Sequence, residues 1–137
     1  RRPMTHFSSL GEARAHLPQL TDAAVSGRPV SYSRRGRRVA AVDANRLRDA
    51  LAKLHAARAD VFREDGRVGM VISELGLAVE GGTFDDAVTE LVIALKEYAV
   101  DWGDHLVNAP NHANNWGIVQ LIAFSTDAEL TGWVRGA

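Results

Sequence analysis

Asp101 and His105 stand four positions apart, Asp104 directly precedes the histidine, and His112 follows in the next loop. On a helix, residues i and i+4 share a face, so Asp101 and His105 could share a proton or supply two corners of a metal site. A solvated pair at a helix end is the weightier reading, and neither a metal nor any other cofactor is expected. Nucleophilic catalysis finds no better footing. Serines and histidines are present, but none sits in a strand-turn-helix elbow or another activating context. Neither a GxxxxGK loop nor a GxGxxG follows a strand. The side chains that do cluster are arginines: Arg34, Arg35, Arg37 and Arg38 surround Gly36. Guanidinium groups in that density recognise phosphate, and a well-placed one reads guanine through two hydrogen bonds. The chemistry on offer is binding, so no enzyme is expected.

The elements that position those arginines follow from punctuation and spacing. Ser9 with Glu12 three residues on is a capping-box pattern and predicts a helix from about Leu10, with Leu10, Ala13 and Leu17 on its apolar stripe. Pro18 breaks it, and Leu20, Ala23 and Ala24 mark a second short helix stopped by Gly27. Pro29 reopens an extended segment in which Val30 and Tyr32 alternate with serines up to the basic turn. Val39 to Val42 reads as a buried return strand, and Asp43 caps a helix whose apolar positions run from Ala44 to about Phe62. With a short strand near Thr5 to Phe7, the order is strand, two short helices, hairpin, long helix.

Three details in this order resemble the Phd/YefM antitoxins over residues 5–62: Glu12-Ala13-Arg14 with Leu17, Gly27-x-Pro29-Val30, and Arg34-Arg35-Gly36-Arg37 followed by Val39-Ala40. The resemblance implies a bacterial, cytoplasmic homodimer that binds an operator in its own promoter and represses it. It further implies a C-terminal segment that wraps and inhibits a toxin, by default a ribonuclease of PIN or RelE type. Carried onto this chain, Arg14 and Arg34 become the specific DNA contacts, with Arg35, Arg37 and Arg38 on phosphates. A ligand- or partner-responsive transcriptional regulator with no toxin is the alternative; the presence or absence of a small adjacent toxin gene separates the two.

Charge points the same way independently. Residues 1–65 hold 13 Lys+Arg against 7 Asp+Glu, and residues 66–137 hold 3 against 10. A basic half attracts phosphate, whereas an acidic half is repelled by it and suits a basic protein. The chain has 46% apolar residues, enough for a packed core, and no cysteine, so disulfides and cysteine-based zinc sites are excluded. No apolar run approaches the roughly 20 residues that span a bilayer. Arg1-Arg2-Pro3 lacks signal-peptide character, and Met4 is read as the natural start.

Glu64-Asp65-Gly66 is read as a turn and as the boundary between residues 1–65, a DNA-binding and dimerisation domain, and residues 66–137, a toxin-binding domain. Val68 to Val79 alternates and predicts two short strands or one bent near Gly76. Thr83 with Asp86 starts the longest helix, expected over Phe84 to Leu106. The piece Ile72 to Tyr98, with Glu80-Gly81-Gly82-Thr83, Asp86-Ala87 and Ala94-Leu95, resembles the strand-to-helix segment of HicB-type antitoxins and implies a folded toxin-binding half. Asn115 is the expected cap of a helix through Trp116 to Ala123, and Thr126 with Glu129 starts the last one. The expected fold is thus α+β, a Phd/YefM-like domain followed by a small, mainly helical domain with one or two strands. Toxin contact is assigned to Phe84, Glu90, Leu91, Glu97, Tyr98, Asp101 and Trp102. Trp102, Trp116 and Trp133 stand among aliphatics at helical spacing, where tryptophans are more often core than interface anchors.

Overall fold

A computed structural model describes residues 5–136. The expectation that Met4 begins the chain lies outside the described residues. The chain folds as two compact units, one ending at Leu47 and the next beginning at Arg48.

In the first unit, β1 (Thr5–Phe7) is followed by α1 (Leu10–Ala15), α2 (Leu17–Val25), β2 (Val30–Arg34) and β3 (Arg37–Ala40). Ser9 caps α1 by accepting the Glu12 N–H at 3.1 Å. The reciprocal half of the capping box is replaced: the Glu12 carboxylate takes the Ser8 hydroxyl at 2.7 Å. The break between the helices falls at His16 and not after Pro18, which lies in the first turn of α2. A first-turn proline forfeits no helical hydrogen bond. Leu17 therefore begins α2 and is exposed. At the other end, the Gly27 N–H bonds the Ala24 carbonyl and the Arg28 N–H the Ala23 carbonyl, a Schellman ending that Gly27 permits with φ of 80°.

β1 pairs parallel with β2, and β2 antiparallel with β3. The β2–β3 loop is two residues, Arg35 and Gly36, with φ of 50° and 73°. Two successive positive φ values match the right-handed twist of the flanking strands. The core is small, built on Phe7, Ala13, Leu20, Ala23 and Val30. The return strand differs from expectation: every residue of β3 is exposed, because it is the sheet's outer strand and its far side is uncovered within the chain.

The unit boundary falls within α3 (Ala44–Leu54), which begins where Asp43 accepts the Arg46 N–H at 3.0 Å. α3 stops eight residues short of Phe62. The chain re-extends, and β4 (Asp60–Glu64) pairs antiparallel with β5 (Arg67–Ile72) through Asp65 and Gly66, with φ of 52° and 75°. Glu64-Asp65-Gly66 is thus a hairpin turn inside the second unit, so the boundary expected there moves to Leu47/Arg48. A 3₁₀ turn (Ser73–Leu75) and left-handed Gly76 lead into β6 (Leu77–Gly81), completing a sheet of order β4-β5-β6. Residues 66–137, for which one or two strands were expected, hold two, β5 and β6, and β4 joins them from the preceding segment.

Val68, Met70 and Ile72 alternate on the buried face of β5. β5 and β6 pack against α4 (Phe84–Asp101), which Thr83 caps by accepting the Asp86 N–H at 3.1 Å. A π turn extends the helix through Leu106. α5 (Trp116–Ala123) and α6 (Asp127–Val134) close over α4, the latter through a complete capping box of Thr126 and Glu129. Asn115 does not cap α5 with its side chain; it donates to the Tyr98 hydroxyl at 2.9 Å instead.

Candidate interaction surfaces

The hairpin tip places Arg34 directly opposite Arg37 and Ser33 opposite Arg38, with Arg35 in the turn. All four arginines are exposed. Like charges facing each other across a strand pair are unfavourable until an anion sits between them. Arg14 is exposed too, in the last turn of α1, which packs against β2. The structure therefore gathers Arg34, Arg35, Arg37 and Arg38 at one hairpin tip and carries Arg14 on a neighbouring helix.

Pairing separates the two units sharply. Among the described residues, no carboxylate forms an ion pair with any first-unit arginine (Arg14, Arg28, Arg34, Arg35, Arg37, Arg38, Arg46). In the second unit Arg48 reaches Asp49 and Glu129, Arg58 reaches Glu74, Arg67 reaches Glu80, Lys96 reaches Asp127, and Arg135 reaches Asp85. Most positive charge there is spent internally. Counted at the structural boundary, the split persists: residues 1–47 hold 9 Lys+Arg against 3 Asp+Glu, and residues 48–137 hold 7 against 14.

The first unit also has an open groove of about 620 Å³. Ala24, Val30, Ala40, Ala41, Val42 and Leu47 give it an apolar floor, with Arg28, Arg38 and Arg46 among its other lining residues. The Arg46 guanidinium lies over Gly27, where a Cβ would come within 3.1 Å of it. Sequence periodicity gave no sign of the groove, because its apolar residues come from four separate segments.

On α4, helical geometry sorts the expected toxin-contact residues into two sets. Leu91, Tyr98 and Trp102 are buried, Leu91 completely, and form the core of the second unit with Val88, Val92 and Leu95. They are therefore not surface residues in this fold: at i, i+7 and i+11 they follow the stripe that must face the sheet. The Trp102 indole N–H donates to the His112 carbonyl at 2.7 Å, and the Tyr98 hydroxyl meets His112 Nδ1 at 2.8 Å, pinning the 108–115 loop from within. Phe84 is half-buried beneath the Arg135 guanidinium, 5.5 Å from its ring centre. Glu90, Glu97 and Asp101 are exposed. Beside them lie two residues the sequence reading passed over, Ile93 and Val100, 47% and 67% exposed.

Asp101 and His105 do meet, at 3.0 Å, as an exposed pair. Among the described residues no group of three or more His, Asp or Glu side chains gathers closely enough to hold a metal ion, and no helix is long and apolar enough to cross a membrane.

With the surfaces in place, comparison with known proteins decides the family. The PHD_like family model, described as antitoxin of toxin-antitoxin, RelE / RelB, TA system, matches residues 4–130. This chain belongs to the PHD_like antitoxins. The match spans both units, so the acidic second unit is as much part of the family pattern as the basic hairpin. The fold of this PHD_like chain is similar to the 1.80 Å crystal structure of an antitoxin part of a candidate toxin/antitoxin system from Syntrophomonas wolfei subsp. wolfei. That similarity holds at 23% identity over 96% of each chain, with a TM-score of 0.81. No curated protein matches the sequence. An antitoxin of a toxin-antitoxin system has a toxin as its partner.

Proposed function

We propose that this PHD_like antitoxin is of the Phd/YefM type, a non-enzymatic homodimer that binds operator DNA through the first unit and neutralises its toxin through the second. The observation that carries this reading is the asymmetry of ion pairing. Seven first-unit arginines are left without a carboxylate among the described residues, while five second-unit cations are already paired. Unpaired exposed guanidinium groups release counterions when they meet phosphate, whereas paired ones must first give up their partners. Arg14 and Arg34 are assigned to base reading, and Arg35, Arg37 and Arg38 to phosphate.

The groove supports self-association. A core of five buried side chains, two of them alanines, is marginal for a unit this size, and a second copy placed on the groove and on exposed Val39 and Val42 would supply the missing burial. For the toxin, the exposed α4 face (Glu90, Ile93, Glu97, Val100, Asp101) suits a basic protein with an apolar centre. The RelE named in the family description favours a RelE-type ribonuclease over a PIN-type one. The HicB-like piece, Ile72 to Tyr98, runs from the end of β5 through β6 into α4 and supports assigning toxin binding to this unit.

The test pairs two assays on the full chain. In gel shifts with its own promoter, Arg14→Ala or Arg34→Ala should abolish the specific complex, whereas Arg38→Ala should weaken all DNA about equally. Unchanged promoter binding by Arg14→Ala and Arg34→Ala would remove the DNA assignment. Co-expression with the product of the adjacent small gene should rescue growth; if no such gene exists, the toxin-free regulator reading replaces this one.

A further inference from the structure

β4 is an open sheet edge. Its five residues, Asp60-Val61-Phe62-Arg63-Glu64, are all exposed, and its pairing to β5 runs without a bulge from Asp60↔Val71 to Glu64↔Arg67. Natural edges are normally blunted by proline, lysine or other charged side chains, a bulge, short length or a covering element. β4 has no proline, lysine or bulge; Asp60, Arg63 and Glu64 charge its ends, which bars an uncharged or like-charged strand, while its centre is apolar, with Val61 and Phe62 47% and 46% exposed. The sheet's other edge strand, β6, packs against α4. We propose that β4 is the toxin-docking edge of this antitoxin, taking one β-strand of the toxin in antiparallel or parallel addition, an inference that rests on the toxin-binding reading of the second unit.

Side chains on β4 specify the kind of strand. By the two-residue period, Asp60, Phe62 and Glu64 share one face and Val61 and Arg63 the other. Phe62 lies across Gly69 on β5, its ring over the glycine in the space a Cβ would need, so the phenyl lies flat on the sheet as a cross-strand apolar surface. The incoming strand is therefore one with a cation, an apolar side chain and a cation at alternate positions, facing Asp60, Phe62 and Glu64. Cross-strand opposite charges stabilise such a pairing, and like charges destabilise it.

The same rule disfavours a second copy. Two β4 strands related by a two-fold axis at Phe62, which pairs all five residues, put Asp60 opposite Glu64 at both ends. Centring the axis on Arg63 sets two arginines face to face, and centring it on Val61 leaves three paired residues. A basic strand from a different protein has none of these conflicts and meets the acidic surplus of the second unit.

The experiment is amide hydrogen exchange on the full chain, free and in complex with the product of the small open reading frame adjacent to its gene, together with the double variant Asp60→Lys, Glu64→Lys. The outward-pointing amides of residues 60–64 should exchange at least tenfold more slowly in the complex. The double variant, altering only exposed side chains, should associate about tenfold more slowly. A complex that forms with exchange at 60–64 unchanged, or with association by the double variant equal to wild type, overturns strand addition while leaving the antitoxin reading standing. Protection of 60–64 that is already present in the free chain and rises with its concentration overturns it in favour of a second copy. Failure to form any complex removes the toxin-binding reading and this docking edge together.

Discussion

Leu91 and Ile93 lie two residues apart on α4, yet truncating them should produce opposite phenotypes. Leu91 is fully buried, so Leu91→Ala loses its transfer energy and leaves a cavity that a packed helix-on-sheet core closes only in part. The cost is about 3 to 5 kcal/mol. The second unit has 90 residues, and at roughly 4 to 8 °C per kcal/mol for a domain of that size, its melting temperature should fall by about 12 °C or more. Ile93 is 47% exposed. Ile93→Ala forfeits about half of an isoleucine's burial and gains a few tenths of a kcal/mol in helix propensity, a net cost within about 1 kcal/mol. Its loss should appear in toxin affinity instead. The assay is thermal unfolding followed by tryptophan fluorescence, because Trp102, Trp116 and Trp133 all lie in the second unit and report on it alone. Equal melting temperatures for the two variants would refute the assignment of Leu91 to the core and Ile93 to the surface.

Three further outcomes follow from local geometry. Gly81→Ala should cost about 1 to 3 kcal/mol by thermal melt, since its Cβ would sit 2.6 Å from the Ala87 nitrogen, a backbone atom that cannot step aside. Thr83→Ala should cost about 1 kcal/mol through the lost cap on the Asp86 N–H, and Thr83→Ser should restore it in the same melt. Arg35→Gly should leave the hairpin intact or slightly more stable, because glycine adopts the left-handed conformation without strain. It should also lower the salt slope of DNA binding by about one, measured by titration across salt concentrations.

Most of the fold was legible because its boundaries carry local signals. Ser9, Asp43, Thr83 and Thr126 each announce a helix that is present, and Gly27 marks a real stop. What was missed is β4. Val61 continues the apolar spacing of α3, and in a short segment period alone does not tell a helix from a half-exposed strand. The discriminating signal was the dipeptide Asp65-Gly66, which repeats the logic of Arg35-Gly36: two positive φ values joining two strands. Reading it as a hairpin would have placed β4 and moved the boundary. At the candidate sites, charge was legible and burial was not. The acidic residues of α4 are exposed as their type requires, but whether an aliphatic on a long helix faces sheet or solvent depends on what packs against it, so Leu91, Tyr98 and Trp102 were taken for contacts and Ile93 and Val100 overlooked.

The division of labour between a basic, DNA-binding unit and an acidic, toxin-binding unit is tested most directly by one charge-reversal pair in the full chain, read in both assays. Arg34→Glu with Arg37→Glu should abolish promoter binding in a gel shift and leave rescue from the co-expressed toxin intact. Glu90→Lys with Glu97→Lys should do the reverse, keeping the gel shift and slowing toxin association. Loss of both activities from either pair, with the fold retained by circular dichroism, would contradict it.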